Sequence, residues 1–155
     1  MKRIAIVTDS AASVPPELAR EVELEIVPMG IQIGNQFLRE GIDMTTEEFY
    51  KQLEEKENIT TSQPSPGDFL DVYNKLVGKA KEIISIHVTS KQSGTVRVVE
   101  LLKEHIPIRI TVVDSESASM GQGFIALAAA RAALLGKSRE EILEIIKRAK
   151  EKVAV

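Results

Sequence analysis

Three β-branched runs in this chain end almost alike: "VTDSAAS" (Val7 to Ser13), "VTSKQSG" (Val88 to Gly94) and "VDSESAS" (Val113 to Ser119). Each passes through a hydroxyl-rich turn into a segment whose apolar residues recur at helical spacing. A strand that gives way to a polar turn and then a helix, three times over, leaves few folds open. It points to an α/β domain with an open, mostly parallel sheet, flanking helices and right-handed crossovers. In such sheets, ligands bind beyond the carboxyl ends of the strands.

The remaining elements follow from the same patterns. Strands are expected at "RIAIVTDS", "EIISIHVTS" and "IRITVVDS", and a strand followed by a hairpin at Gly34-Asn35 within "LEIVPMGIQIGNQFLREG". "SVPPELAREV" reads as a short helix starting near Ser13 or Val14, with prolines tolerated in its first turn. "MTTEEFYKQLEEK" carries a Thr45-to-Glu48 capping box. Phe69, Val72, Tyr73 and Leu76 mark a helix ended by Gly78. "SGTVRVVELLKEHI" is a helix with Val98, Leu102 and Ile106 on one face. "MGQGFIALAAARAALLG" is interrupted by Arg131 and too short to span a bilayer, so it reads as a buried helix. "SREEILEIIKRAKEK" is a last helix, with a Ser138–Glu141 capping box.

Composition excludes several function classes. The 155 residues fit one domain with a substantial core. A net charge of −3 and only 4% aromatic residues argue against a nucleic-acid binder. Without cysteine there is neither disulfide nor thiolate chemistry. The opening "MKRIAIVTDS" reaches Asp9 after too few apolar residues for a signal peptide, so the expectation is a cytoplasmic protein without stable membrane insertion. The closing "VAV" reads as the beginning of a further segment, an expectation that the chain is part of a longer protein.

The segment "TTSQPSPGDF", Thr60 to Phe69, gathers four hydroxyls, a glutamine, two prolines and a glycine, with no cation, just before a helix. Any one such turn reads as a helix cap, since Ser, Thr and Asp are preferred there. Four turns at one sheet edge exceed what capping requires. Helix N-termini favour anions, yet Lys91 is the only lysine in these turns. There is no G-x-x-x-x-G-K-[ST] loop, and "MGQGFIA" lacks the third glycine of a dinucleotide loop. A singly charged carboxylate suits hydroxyls and backbone N–H groups better than a polyphosphate does.

Other chemistries stay open at this point. Asp9 and Asp114 could hold Mg²⁺ in a phosphotransfer enzyme or its remnant, although Asp-Ser at a strand end is more often turn chemistry. A serine hydrolase would need a G-x-S-x-G elbow, which is absent, and a histidine base. His87 reads as a packed or edge strand residue and His105 as a helix-end cation. A third reading is an interaction domain without a ligand.

The stretches "IVTDSAAS", "TTSQPSPGDF", "IHVTSKQSGT" and "VVDSESASMGQG" together resemble the N-terminal domain of the DegV family, bacterial fatty-acid-binding proteins with the EDD-like fold. The resemblance spans the whole chain, 1–155. It implies a non-enzymatic carrier that binds a long-chain fatty acid between two domains, with no cofactor and no metal. Thr61 and Ser93 would hold the carboxylate, with Ser62 beside Thr61 and the N–H groups of Gly94 and Thr95 assisting. Asp9, Ser10 and Ser115 would organise the neighbouring turns. Some members present the acid to a separate fatty acid kinase, the partner the resemblance suggests. Members are nearly twice as long, so the resemblance implies that residues 1–155 correspond to their first domain alone, with the second, tunnel-closing domain expected to be absent from this sequence.

Overall fold

The computed structural model describes residues 2–55 and 58–153. Lys56, within the expected helix, and Ala154 and Val155 of the final "VAV" lie outside the described residues. Among the described residues, seven strands and six α-helices follow one another as β1 (Lys2–Asp9), α1 (Pro16–Glu21), β2 (Glu25–Val27), β3 (Gly30–Ile33), β4 (Gln36–Arg39), α2 (Thr46–Glu55), β5 (Ile59–Ser62), α3 (Pro66–Leu76), β6 (Ala80–His87), α4 (Thr95–Leu102), β7 (Arg109–Asp114), α5 (Ser119–Leu134) and α6 (Arg139–Val153).

The main sheet is parallel, in the order β2-β1-β6-β7. Successive β1 residues face opposite sides, as the strand period requires. Ile4 and Ile6 enter a core with α1, α5 and α6; Ala5 and Val7 enter a second core with α3 and α4. Both faces are therefore buried, which is why β1 and β6 read as continuous apolar runs. The register aligns Thr8 with Ile86 and His87 with Asp114, so Asp9, His87 and Asp114 stand side by side at the carboxyl edge.

Helix α5 packs against β1 on one side and α6 on another, so it is apolar around most of its circumference, with Arg131 exposed. Ile125, Ala126, Leu127, Ala129, Ala130 and Ala132 are buried, as expected for this segment. A Cβ on Gly123 would lie 2.6 Å from the Ala12 carbonyl oxygen, so glycine lets α5 rest on the turn after β1. Both expected capping boxes form. Glu48 and Glu141 accept from the backbone N–H groups of Thr45 and Ser138, each at 2.7 Å, and those hydrogen bonds hold both carboxyls below the usual carboxylate range. No helix among the described residues is long and apolar enough to cross a membrane.

Two expectations are corrected. The hydroxyls of "TTS" do not sit at a helix start: Ile59–Ser62 is a strand that pairs antiparallel with β3 in a second sheet ordered β4-β3-β5. The β-branched Ile-Thr-Thr run favours this, and Ile59 packs with Ile31 and Ile33. Helix α3 starts later, capped by Ser65, whose Oγ accepts from the Asp68 N–H. Similarly, α1 starts at Pro16 rather than near Ser13. Val14 and Pro15 each precede a proline, which disfavours the helical conformation, and Ser13, at φ 53°, closes a 3-10 turn over Ser10–Ala12.

Candidate functional site

The loops after β1, β6 and β7 meet at the carboxyl edge of the main sheet around Asp9, whose side chain is fully buried. Its Oδ1 accepts from the Ala11 N–H at 3.0 Å and from Gln122 Nε2 at 3.1 Å. Its Oδ2 lies 2.9 Å from His87 Nδ1 and accepts from the Val88 N–H at 3.1 Å. Four partners occupy the carboxylate, so ligating Mg²⁺ would mean giving them up. Asp114 is likewise engaged, by the N–H groups of Ser90 at 3.2 Å and Glu116 at 2.8 Å. Partial burial pushes its carboxyl up, but hydrogen bonds from Ser90 and Glu116 and the charge of Lys150 outweigh burial and hold it below the usual range. The described residues contain no cluster of three or more potential metal ligands.

The β6 loop carries Ser93 and Gly94 to the start of α4. Ser93 Oγ accepts from the Thr95 N–H at 3.3 Å and lies 2.8 Å from Thr95 Oγ1. No side chain caps the helix from Gly94, and its first turn holds no acid. The end of β5 comes up against this helix start: a Cβ on Gly94 would collide with Gln63 Oε1. Thr61, paired with Ile31, and Ser62, paired with Gly30, are exposed on β5 just before Gln63. The strand thus reaches the same edge that a helix start was expected to reach.

Ser10 and Ser115 bond within the turns. Ser10 Oγ accepts from the Met29 N–H at 2.8 Å and hydrogen-bonds the Glu40 carboxylate. Ser115 Oγ donates to the Ser117 carbonyl at 3.0 Å, and the Ser115 N–H donates to the His87 carbonyl at 3.0 Å.

A buried polar chain was not found by the sequence reading. Of the two readings of His87, packed or edge, the packed one holds: it is fully enclosed, with Nε2 2.7 Å from Ser85 Oγ, which lies 2.8 Å from the Tyr73 hydroxyl. Burial pushes the Tyr73 phenol well above its usual range, against the opposing hydrogen bond to Ser85, so it remains a donor. Asp9, His87 and Ser85 line up as a hydrolytic triad does, but all three are fully buried, so no substrate reaches Ser85. A sequence signal existed: Ser85 and His87 are two residues apart on one strand, hence on one face.

Arg39 is a cation the sequence reading did not place. It flanks Gly30 on β4 as Ser62 does on β5, but its charge is taken by Asp43, at 2.8 Å, and by Asp68, at 3.8 Å. The Arg39 hydrogen bonds hold the Asp43 carboxyl down at about 2.

Together these features define an α/β domain whose sheet edge offers hydroxyls and a helix start, organised by buried carboxylate chemistry. The chain belongs to the DegV family: a family profile described as "Uncharacterised protein, DegV family" matches residues 3–155. A DegV domain-containing protein of Caldanaerobacter subterraneus is 38% identical over 147 residues, which cover 94% of this chain and 52% of that protein. A Thermus thermophilus DegV family structure described by its fatty acid binding is 35% identical with a TM-score of 0.86, covering 96% of this chain and 54% of that one. Bacillus subtilis DegV, described as a fatty acid binding protein, is 31% identical with a TM-score of 0.91, covering 97% and 55%. The chain thus spans about half the length of these relatives.

Proposed function

We propose that this chain is a fatty-acid carrier domain that holds the carboxylate of a long-chain fatty acid at the carboxyl edge of its sheet. Thr61 and Ser93 are the hydroxyl ligands, Ser62 flanks Thr61, and the N–H groups of Gly94 and Thr95 supply the helix start. The observation that carries this reading is the approach of the β5 end, through Gln63, to the start of α4, where the N-cap Gly94 has no side chain and the first turn holds no acid. It joins two hydroxyl-bearing segments that are far apart in the chain. Hydrogen bonds to a charged group are worth about 1.5–3 kcal/mol each, so a few such donors can hold a carboxylate without a buried lysine. The fatty acid binding of the Thermus thermophilus and Bacillus subtilis relatives supports the choice of ligand.

In this reading the protein binds and presents the acid and carries out no reaction on it. The family resemblance extends the role to presentation of the acid to a fatty acid kinase in the cytoplasm. The acyl chain is enclosed by two walls, of which this chain supplies one. Titration of the delipidated protein with decanoate and with methyl decanoate tests the reading. Saturable binding of the acid, with weaker binding of the ester, is expected. Equal affinities would contradict a carboxylate site.

A further inference from the structure

One oxygen of Asp9 holds the root of the Ser93 loop, the other holds the turn against which the strand system of Thr61 is tied, and His87 contacts the first. Oδ2 holds the Val88 N–H, the root of the loop that closes through the Ser93 N–H onto the Thr89 carbonyl, at 3.2 Å. Oδ1 holds the Ala11 N–H. Next to Ala11, Ser10 Oγ receives the Met29 N–H, and the strand that follows Met29 pairs Gly30 with Ser62 and Ile31 with Thr61. One buried carboxylate therefore ties together the Ser93 loop and the strand system that carries Thr61. A carboxylate can still rotate about its own bond. The His87 ring cannot follow freely: its far nitrogen meets Ser85, which meets Tyr73, and its face or edge packs against the Phe69 ring at 5.4 Å and 87°.

We propose that His87 is a positioning residue for carboxylate binding, acting through Asp9 and resting on the fatty-acid reading above. Asp9 already accepts from three N–H groups, so it serves as acceptor toward His87 as well. Nδ1 then carries the hydrogen, Nε2 accepts from the Ser85 hydroxyl, and Ser85 accepts from Tyr73. The packed core beneath α3 thereby fixes the plane of Asp9, and Asp9 fixes the separation of the two ligand-bearing segments.

Two substitutions separate this role from packing. In His87→Asn the amide nitrogen is attached at Cγ, as Nδ1 is, and still reaches Asp9. In His87→Gln it lies one atom further out, where Nε2 was, and serves Ser85 instead. Both variants lose stability. The proposal expects His87→Asn to keep the wild-type preference for decanoate over methyl decanoate, and His87→Gln to lose about tenfold of it while ester affinity is unchanged. It also expects faster amide exchange at Val88 in His87→Gln alone. Equal losses of acid and ester in both variants, or an unchanged preference in His87→Gln, would overturn it. Nitrogen NMR of the wild-type ring supplies a test that needs no variant: protonation at Nε2 in place of Nδ1 overturns the proposal even if His87→Gln does not fold. Absence of any acid preference in the wild type would instead sink the fatty-acid reading, and the ring nitrogens and Val88 exchange would still decide the link to Asp9.

Discussion

Asp9 Oδ2 lies 2.9 Å from His87 Nδ1, and both side chains are fully buried. Asp9→Ala leaves His87 Nδ1 without its partner, and a buried polar group left unsatisfied costs about 1–3 kcal/mol. Asp9→Ala also strands the N–H groups of Ala11 and Val88 and the amide of Gln122. The expected loss in urea unfolding is therefore in or above that range. A loss under about 1 kcal/mol, the size of an exposed ion pair, would mean that the carboxylate is not the organiser described here.

Tyr73 gives the fold an alkaline limit. Its folded-state phenol is raised above the ordinary value of 10.0 by burial. A raised group contributes stability that is fully present below the unfolded value and lost as pH climbs toward the folded one. Stability should thus decline above pH 10. The chain has two tyrosines, so in a Tyr50→Phe background Tyr73 alone reports. Its phenolate absorbance is expected to rise together with the loss of circular dichroism. Ionisation near pH 10 with native dichroism would contradict the buried hydroxyl chain.

At the acid end, Asp43 shows the opposite sign. Hydrogen bonds from Arg39 lower it from 3.8 to about 2. Its contribution is present above 3.8 and fades as pH falls toward 2. The carboxyl carbon shift should titrate near 2 in the wild type and return toward the ordinary value in Arg39→Ala. Equal midpoints in the two proteins would show that the clamp does not form.

Two glycines beside the site should respond differently to alanine. At Gly123 the new Cβ meets backbone, the Ala12 carbonyl at 2.6 Å, which α5 cannot relieve without moving. Overpacking of this kind costs about 1–3 kcal/mol. At Gly94 it meets the end of the flexible Gln63 side chain, and the backbone, at φ −78°, suits alanine. Gly94→Ala should therefore keep its stability and displace Gln63, weakening acid binding. Thermal melts and decanoate titration of the two variants check this. A marked stability loss in Gly94→Ala alone would reverse the assignment.

Much of the main sheet was legible because its signals are local. The runs of β1, β6 and β7 are β-branched and end in turn residues, and α2 and α6 carry capping boxes whose partners are three residues apart. Thr60 to Ser62 was misplaced because β5 owes its state to pairing with the distant β3, which no local pattern records. The sequence leaves His87 as either packed or edge for a related reason: the chain it joins, Asp9, Ser85 and Tyr73, comes from three elements, and only Ser85 is near in sequence. Ser93, Gly94 and Thr95 do stand at the start of α4 as expected. Thr61 lies on β5, two residues before Gln63, whose side chain meets that helix start.

The central claim is that hydroxyls of Thr61 and Ser93 bind a carboxylate. The most direct measurement is decanoate affinity, below the micellar range, for the wild type and for folded Thr61→Ala/Ser93→Ala, with methyl decanoate as reference. At about 1.5–3 kcal/mol for each hydrogen bond to a charged group, loss of two predicts about 3–6 kcal/mol, or roughly 10²- to 10⁴-fold weaker acid binding, with ester binding unchanged. Unchanged acid affinity in the double variant, or equal losses for acid and ester, would contradict the assignment.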